Sequence, residues 1–350
     1  MDRITTITRD FLDEFMERLA RKFDVESSNL LPFTDYVEMM TALLEHVARG
    51  KKQLLIAGPA SPDLDIAAER AGLEAIEVLG VSPFVNHPED ILQAAEGSDA
   101  VIYLANPNRV TGSNYSLHHV SSIAQNLPNS PLILDEKYFD YYGISGLPLL
   151  ERFSNIVIIR SLTAGFSITS DESGCLIGSA GLVAGFRNFY QWSRITSTML
   201  RLLSTSLSND ATASLRLAQV HEEAFRLTNE LHKTGVQNRI TSADFLLLRV
   251  ADPQRVADFL ASYGVVVDNL ESYPDLQKYL RYRIQSPSSN DNLLAAFGRM
   301  PAEYYRMADI DKRAVMFHRA GESPHLYARS GKASRLVTPP TGRKREEIPV

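Results

Sequence analysis

Cysteine is almost absent from these 350 residues: Cys175 stands alone, which excludes an internal disulfide and any metal site built from several thiolates. No apolar run reaches the length needed to cross a bilayer. An excess of basic charge is missing too, since 36 Lys and Arg face 42 Asp and Glu for a formal charge of −6. Nucleic acid and anionic membranes both reward clustered Lys and Arg, so no nucleic acid and no membrane is expected as a partner, and a small molecule or another protein is. The opening MDRITTITRDFLDEFMERLARKF carries both signs and lacks the apolar block of a secretory signal. It reads as an amphipathic helix, and together with the lone cysteine it makes the reducing cytoplasm the expected compartment. There is no Gly-rich nucleotide loop and no internal repeat.

What is present is an ordinary globular composition, 44% hydrophobic and 22% charged. The length exceeds that of a typical single domain, so one large α/β domain plus a smaller one is the expected partition. Val37, Met40, Leu43, Leu44 and Val47 recur at helical spacing and Gly50 follows as a stop, which predicts a helix over 37–49. QLLIA (53–57), EAIEV (74–78), AVIYL (100–104), PLILD (131–135) and NIVIIR (155–160) are short apolar runs separated by helix-sized segments, the pattern of parallel strands covered on both faces. GCLIGS (174–179) follows too soon for a helical crossover and is expected to pair antiparallel, making the sheet mixed. Helices are predicted over 181–203 and 210–233. ADFLLLRV, a helix from Pro253, GVVV, YLRYRIQ and NDNLLAAF then form a second β-α-β-β-α unit. The expected boundaries are an N-terminal arm or helix (1–36), a large α/β domain (37–235), a small α+β domain (236–300) and a C-terminal extension or arm (301–350). Pro339-Pro340, the basic GRKRE and few core periodicities mark that last part as a surface segment.

Ligands of open α/β sheets bind beyond the carboxyl ends of the strands, which directs attention to the residues after AVIYL, PLILD and NIVIIR. These are ANPNRVTG (105–112), LDEKYFDYYG (134–143) and RSLTAGFSITSDESGCLIG (160–178), joined near the end by YLRYRIQSPSSNDNLLAAF. In order and spacing the four segments resemble NPNNPTG, DEAY, RTLSKAFGLAGLRLGYLIG and LRISIGTPEEN of the class I/II (fold-type I) pyridoxal-phosphate-dependent aminotransferases, of the histidinol-phosphate aminotransferase kind. Each segment alone is a weak signal, and four in order over roughly 37–298 are a strong one for the fold. The resemblance implies a mostly parallel central sheet in a large domain, a small α+β C-terminal domain, a homodimer and a pyridoxal phosphate cofactor. It places Asp135 where an aspartate pairs with the pyridinium nitrogen, Tyr138 where a tyrosine bonds the cofactor phenolate oxygen, and Arg281 where an arginine clamps the substrate carboxylate. The bland alternatives are a strand-end turn aspartate, a packing tyrosine among Tyr141 and Tyr142, and a surface ion pair. Only one of Arg281 and Arg283 is expected to face a cleft.

The same alignment exposes losses. Ala164 stands where the family's lysine forms the Schiff base and carries the proton, tasks a methyl group cannot perform. Thr163 falls on the serine that touches the cofactor phosphate and keeps its hydroxyl. Glu172 falls on the phosphate-binding arginine, a reversal of charge that repels a phosphate dianion. Arg109 replaces the asparagine that donates to the ring oxygen, and Ser61 replaces the aromatic that stacks on the ring. In place of the family's phosphate turn the chain has LPFTDYVEM (31–39), in which Thr34 is expected to cap the helix and Asp35 to compete with phosphate. The expected protein is therefore an aminotransferase-like homologue with a degenerate cofactor site, binding a small amino-acid-like ligand or acting as a scaffold, with pyridoxal phosphate held at most non-covalently. Two alternatives stay open: a cofactor-independent enzyme using Arg109, Asp135, Tyr138, Glu172 and Arg281 on an amino-acid-like substrate, and a conventional histidinol-phosphate-type aminotransferase. Lys137 is a weak candidate for a replacement amine, because its side chain alternates away from Glu136 and Tyr138 and solvated lysine is the default. His118 and His119 are adjacent on a predicted helix and do not face one another, and Cys175 reads as a small core residue.

Overall fold

The computed structural model describes residues 9–80, 82–163, 173–190, 197–207, 210–307, 325–330 and 333–337. In chain order the elements are α1 (Arg9–Phe23), β1 (Leu30–Phe33), α2 (Tyr36–Ala48), β2 (Gln53–Ala57), α3 (Pro62–Arg70), β3 (Glu74–Leu79), α4 (Pro88–Ala94), β4 (Ala100–Ala105), α5 (Leu117–Asn126), β5 (Leu132–Glu136), α6 (Phe139–Tyr142), β6 (Ile156–Ser161) and β7 (Gly174–Gly178). They continue with α7 (Ala180–Phe189), α8 (Ser197–Leu207), α9 (Asp210–Thr234), β8 (Gln237–Ile240), β9 (Phe245–Arg249), α10 (Pro253–Ser262), β10 (Asp268–Asn269), β11 (Tyr279–Arg283), α11 (Pro287–Arg299), α12 (Ala302–Tyr305), β12 (His325–Ser330) and β13 (Ala333–Val337).

The large sheet runs β1-β7-β6-β5-β4-β2-β3-β12-β13. Its centre, β6-β5-β4-β2-β3, is parallel, while β7 pairs antiparallel with both β6 and β1. The central strands are buried on both faces, which is why they read as unbroken apolar runs. Leu55, Ile102, Leu134 and Ile158 point to one layer with Phe15 and Leu19 of α1, Ile91 of α4, Ile123 of α5 and Leu200 of α8. Leu54, Ile56, Val101, Tyr103, Ile133 and Ile159 point to the other, against α2, α3 and α7. No helix among the described residues is long and apolar enough to cross a membrane.

Sequence pattern and structure agree closely at β2 to β7 and differ in identifiable places. The stretch read as one helix over 181–203 is two, α7 ending at Phe189 and α8 starting at Ser197, with 191–196 outside the described residues. GVVV is not a strand: Gly264 turns left-handed at φ +71 to end α10, Val266 is exposed, and pairing begins only at Asp268. Residues 31–33, aligned with the family's phosphate turn, belong instead to the fully buried strand β1. Pro32 is tolerated there because β1 is an edge strand.

The second sheet, β10-β11-β9-β8, is antiparallel. Leu246 and Leu248 of β9 face α9, α10 and α11, and Leu227 and Leu231 of α9, a helix grouped with the large domain by sequence, are buried in that core. Phe245 and Leu247, on the other face, pack on Val110 of the loop after β4. The C-terminal segment also departs from a simple surface arm: β12 pairs antiparallel with β3, and its Leu326 is buried in the large core.

Candidate functional site

Ala105 and Asp135 are register partners at the carboxyl ends of β4 and β5, so the loop 105–112 leaves the sheet beside Asp135. Strand alternation carries Asp135 to the face of Tyr103 and α2, and its neighbour Glu136 to the opposite face. Asp135 is completely buried and both of its oxygens are engaged. Oδ2 accepts from Tyr103 Oη at 2.6 Å and from Tyr36 Oη at 2.9 Å, and it lies 3.0 Å from Arg109 Nε. Oδ1 accepts from the Lys137 amide at 3.0 Å. The Arg109 guanidinium carbon stands 3.9 Å from the centre of the Tyr36 ring, a stacked cation-π contact, and Nη1 is 3.8 Å from the half-exposed Asp63. Burial pushes the Tyr36 and Tyr103 phenols well above the usual tyrosine range; Arg109 opposes the rise and the Asp135 charge adds to it. Both phenols therefore stay protonated and donate to the carboxylate.

The loop is shaped by Asn108, whose Oδ1 accepts from Val110 N at 2.9 Å, Thr111 N at 3.0 Å and Thr111 Oγ1 at 3.1 Å. Its Nδ2 donates to Pro59 O at 3.1 Å, tying the loop to the turn before α3. Gly112 closes the loop at φ +64, and a Cβ there would overlap the Thr241 side chain. Ser242 N donates to Gly112 O at 3.1 Å, and Arg281 Nη1 donates to Arg109 O at 2.8 Å. The small sheet thus clamps the segment that presents Arg109.

The predicted site residues meet different fates. Asp135 and Arg109 come together, and Arg281 joins them through the Arg109 backbone while its Nε donates to Asp268 Oδ2 at 2.9 Å. The expectation that only one of Arg281 and Arg283 faces the cleft side is corrected: residues two apart on a strand share a face, and Arg283 reaches Asp244 at 2.8 Å from that same face. Tyr138 packs, its ring 5.9 Å from Phe245 and 6.1 Å from Tyr141, and burial pushes its phenol up. Thr163 is buried, its amide donating to Ser161 Oγ at 3.1 Å. Ser61 is buried at the N-cap of α3, yet makes no side-chain cap bond. Asp35, not Thr34, caps α2, accepting from Glu38 N at 2.8 Å. Ala164 and Glu172 lie outside the described residues. Cys175 sits in the core, its thiol pushed up to about 12 by burial.

Sequence reasoning missed Tyr36, Tyr103 and a second buried ion pair on the opposite face. There Arg160 Nε donates to Glu136 Oε2 at 2.6 Å, Gly146 N and Ser145 Oγ donate to the same carboxylate, and the guanidinium lies 3.4 Å from the centre of the Phe139 ring. Burial raises the Glu136 carboxyl and Arg160 opposes the rise. The overlooked signal was a polar residue at a fully buried strand position: Tyr in AVIYLA, Glu after LILD, Arg after NIVII. Lys137 does not turn wholly away from Tyr138 as expected: its Nζ lies 5.8 Å from the centre of the Tyr138 ring, and the side chain also lines the cavity beside Arg109 and Tyr36.

That cavity, lined by Phe33, Tyr36, Arg109, Lys137, Ser161 and Ser173 among others, measures about 10 Å³. This is the lower limit for one water molecule, far below what a substituted ring with a phosphate occupies. Asp135 already holds a cation, Ala164 offers no amine, and the N-terminus of α2 is capped by a carboxylate where the resemblance puts phosphate. Among the described residues, the guanidinium at Asp135 and the carboxylate at the α2 N-terminus do not match what pyridoxal phosphate requires there.

The sequence model of the family described as aminotransferase class I and II matches residues 2–297, and the chain belongs to that family. Among its relatives, the histidinol-phosphate aminotransferase of Caldanaerobacter subterraneus subsp. tengcongensis is 23% identical over 286 residues, 81% of each chain. That of Xylella fastidiosa (strain Temecula1) is 29% identical over 212 residues, a match spanning 59% of this chain and 58% of that one. In structure the chain resembles the histidinol-phosphate aminotransferase of Sinorhizobium meliloti, solved in complex with pyridoxal-5'-phosphate. The TM-score is 0.74 at 16% identity, over 83% of this chain and 81% of that one, which shows the shared fold. The α/β fold-type I architecture with its mostly parallel sheet is therefore the family's, and the family's chemistry is pyridoxal-phosphate-dependent.

Proposed function

We propose that this chain is a member of the aminotransferase family that does not transaminate and serves as a binding or scaffold homologue. The observation that carries the reading is the closure of Asp135 by Arg109: the carboxylate that would face a pyridinium nitrogen is paired inside the protein with a guanidinium stacked on Tyr36. Ala164 adds the loss of the amine needed for covalent attachment. The names of the relatives, taken by themselves, favour a conventional histidinol-phosphate-type aminotransferase, and this second reading is kept on their strength. The cofactor-independent enzyme has less support, because Arg281, its carboxylate clamp, already serves Asp268 and the Arg109 carbonyl. A homodimer in the cytoplasm is part of the proposal by family resemblance.

Titration of the purified protein with pyridoxal phosphate separates the two main readings. The expected outcome is no visible absorbance of a lysine-bound cofactor and no lysine labelled after borohydride reduction. A stoichiometric, reducible chromophore with turnover of an amino-group donor would restore the conventional enzyme. A melting-temperature rise with amino acids or phosphorylated amino alcohols, without turnover, supports the binder.

A further inference from the structure

The groups around Asp135 form a socket with a defined preference. The carboxylate is wholly buried and receives two phenolic protons and one backbone amide, all from neutral donors, while Arg109 Nε, 3.0 Å from Oδ2, brings a positive charge against it. One wall is the face of Tyr36, over which the guanidinium carbon of the present occupant stands 3.9 Å from the ring centre. A planar, delocalised cation can stack on that face and touch the carboxylate at once, whereas a tetrahedral ammonium presents no flat surface. We propose that Asp135, Tyr103 and Tyr36 constitute a recognition site for a planar cation, filled here by the chain's own Arg109, which takes a free guanidinium or alkylguanidinium when that side chain is shortened. The inference rests on the reading that this cleft is closed to pyridoxal phosphate.

Two further features make the site separable from its occupant. The backbone around Arg109 is held by contacts that do not involve its guanidinium: Asn108 to Pro59 O, Ser242 N to Gly112 O and Arg281 to the Arg109 carbonyl. Shortening residue 109 therefore leaves the walls standing around a cation-shaped space, because rigid surroundings relax only partly into a deleted side chain. At the outer end, half-exposed Asp63 lies 3.8 Å from Nη1, so the space ends at a second carboxylate open to solvent. Lys137 lines the same cavity, which is why its charge is also removed in the test.

The test is chemical rescue of Arg109→Gly in the full chain, alone and combined with Lys137→Gln. Melting is followed with methylguanidinium chloride up to about 20 mM, against methylammonium chloride and sodium chloride at equal ionic strength. Arg109→Gly is expected to melt about 5 °C or more below the parent. Methylguanidinium should recover at least half of that loss, neither control salt should, and the parent should not respond. Equal recovery by methylammonium, or recovery by neither, overturns the proposal. Should Arg109→Gly fail to fold, refolding yield with and without methylguanidinium gives the same readout. Arg109→Lys decides planarity independently: it should melt below the parent and gain nothing from methylguanidinium, and a melting point equal to the parent's removes the preference for a planar cation. A cofactor chromophore in the parent protein would refute the underlying reading whatever the rescue shows, so the two failures are told apart.

Discussion

Arg109 and Asp135 depend on each other because both are buried, the arginine 6% exposed and the aspartate 0%, and their charged groups lie 3.0 Å apart. Removing one member of a buried pair leaves the other uncompensated, which costs about 3 kcal/mol or more. Asp135→Asn is therefore expected to lower the urea midpoint strongly, and the double variant Asp135→Asn/Arg109→Met to lose less than the sum of the single losses. Strictly additive losses in that cycle would show that the pair is not coupled. At the other end of the chain, hydrogen bonds from Arg226 hold Glu223 below the usual carboxylate range; burial opposes this and Asn290 adds to it. A depressed folded-state pKa stabilises the protein above the unfolded value of about 4.5 and loses that contribution as pH falls through the folded value. Melting of Glu223→Gln should accordingly depend less on pH than that of the parent below about pH 5, and unchanged pH dependence would remove the role assigned to Glu223. Asp135 and Arg281 could be picked out in the sequence because they end or lie on recognisable strands. Tyr103 stood out only as a polar residue in an apolar strand, and its pairing with Tyr36 could not be read at all, since the two are 67 residues apart and meet only when α2 packs on β4.

At the scale of elements, the loop 105–112 is the joint between the two sheets. Its turn is encoded locally, by Asn108 bonding forward to Val110 and Thr111, which is why ANPNRVTG was legible as a motif. Its partner surface was not, because Thr241 and Ser242 lie in the turn between β8 and β9, far along the chain. Gly112→Ala is expected to cost about 2 kcal/mol or more, from a positive φ together with overlap on Thr241. Hydrogen exchange should then quicken both in the loop and around Phe245; acceleration confined to the loop would mean that the two sheets are not coupled there. The helix caps tell the same story in smaller form. Asp35, Ser116, Ser179 and Ser286 cap their helices through bonds three residues long, whereas Ser61, equally plausible in sequence, makes no such bond.

For the whole molecule, the described part of the C-terminal segment completes the large sheet. β12 covers the β3 edge through register partners His325 to Ala328 and buries Leu326. An uncovered edge strand invites pairing with other chains, so truncation before residue 325 is expected to lower the melting temperature and cause concentration-dependent light scattering. A truncated protein that melts like the parent and stays monodisperse would show the strands to be dispensable. Antiparallel addition of this kind was not legible because HLYARS and ASRLV carry no continuous apolar run, and an edge needs apolar residues on one face only. The sequence by itself determined the parallel core, since strands buried on both faces must be apolar throughout, and it determined the family, since this is a matter of residue identity and order. Only the tertiary structure decided which charge faces Asp135. A cation-carboxylate contact between residues 26 positions apart, seated on a tyrosine from a third element, follows from how β4, β5 and α2 are brought together and from no local pattern in the chain.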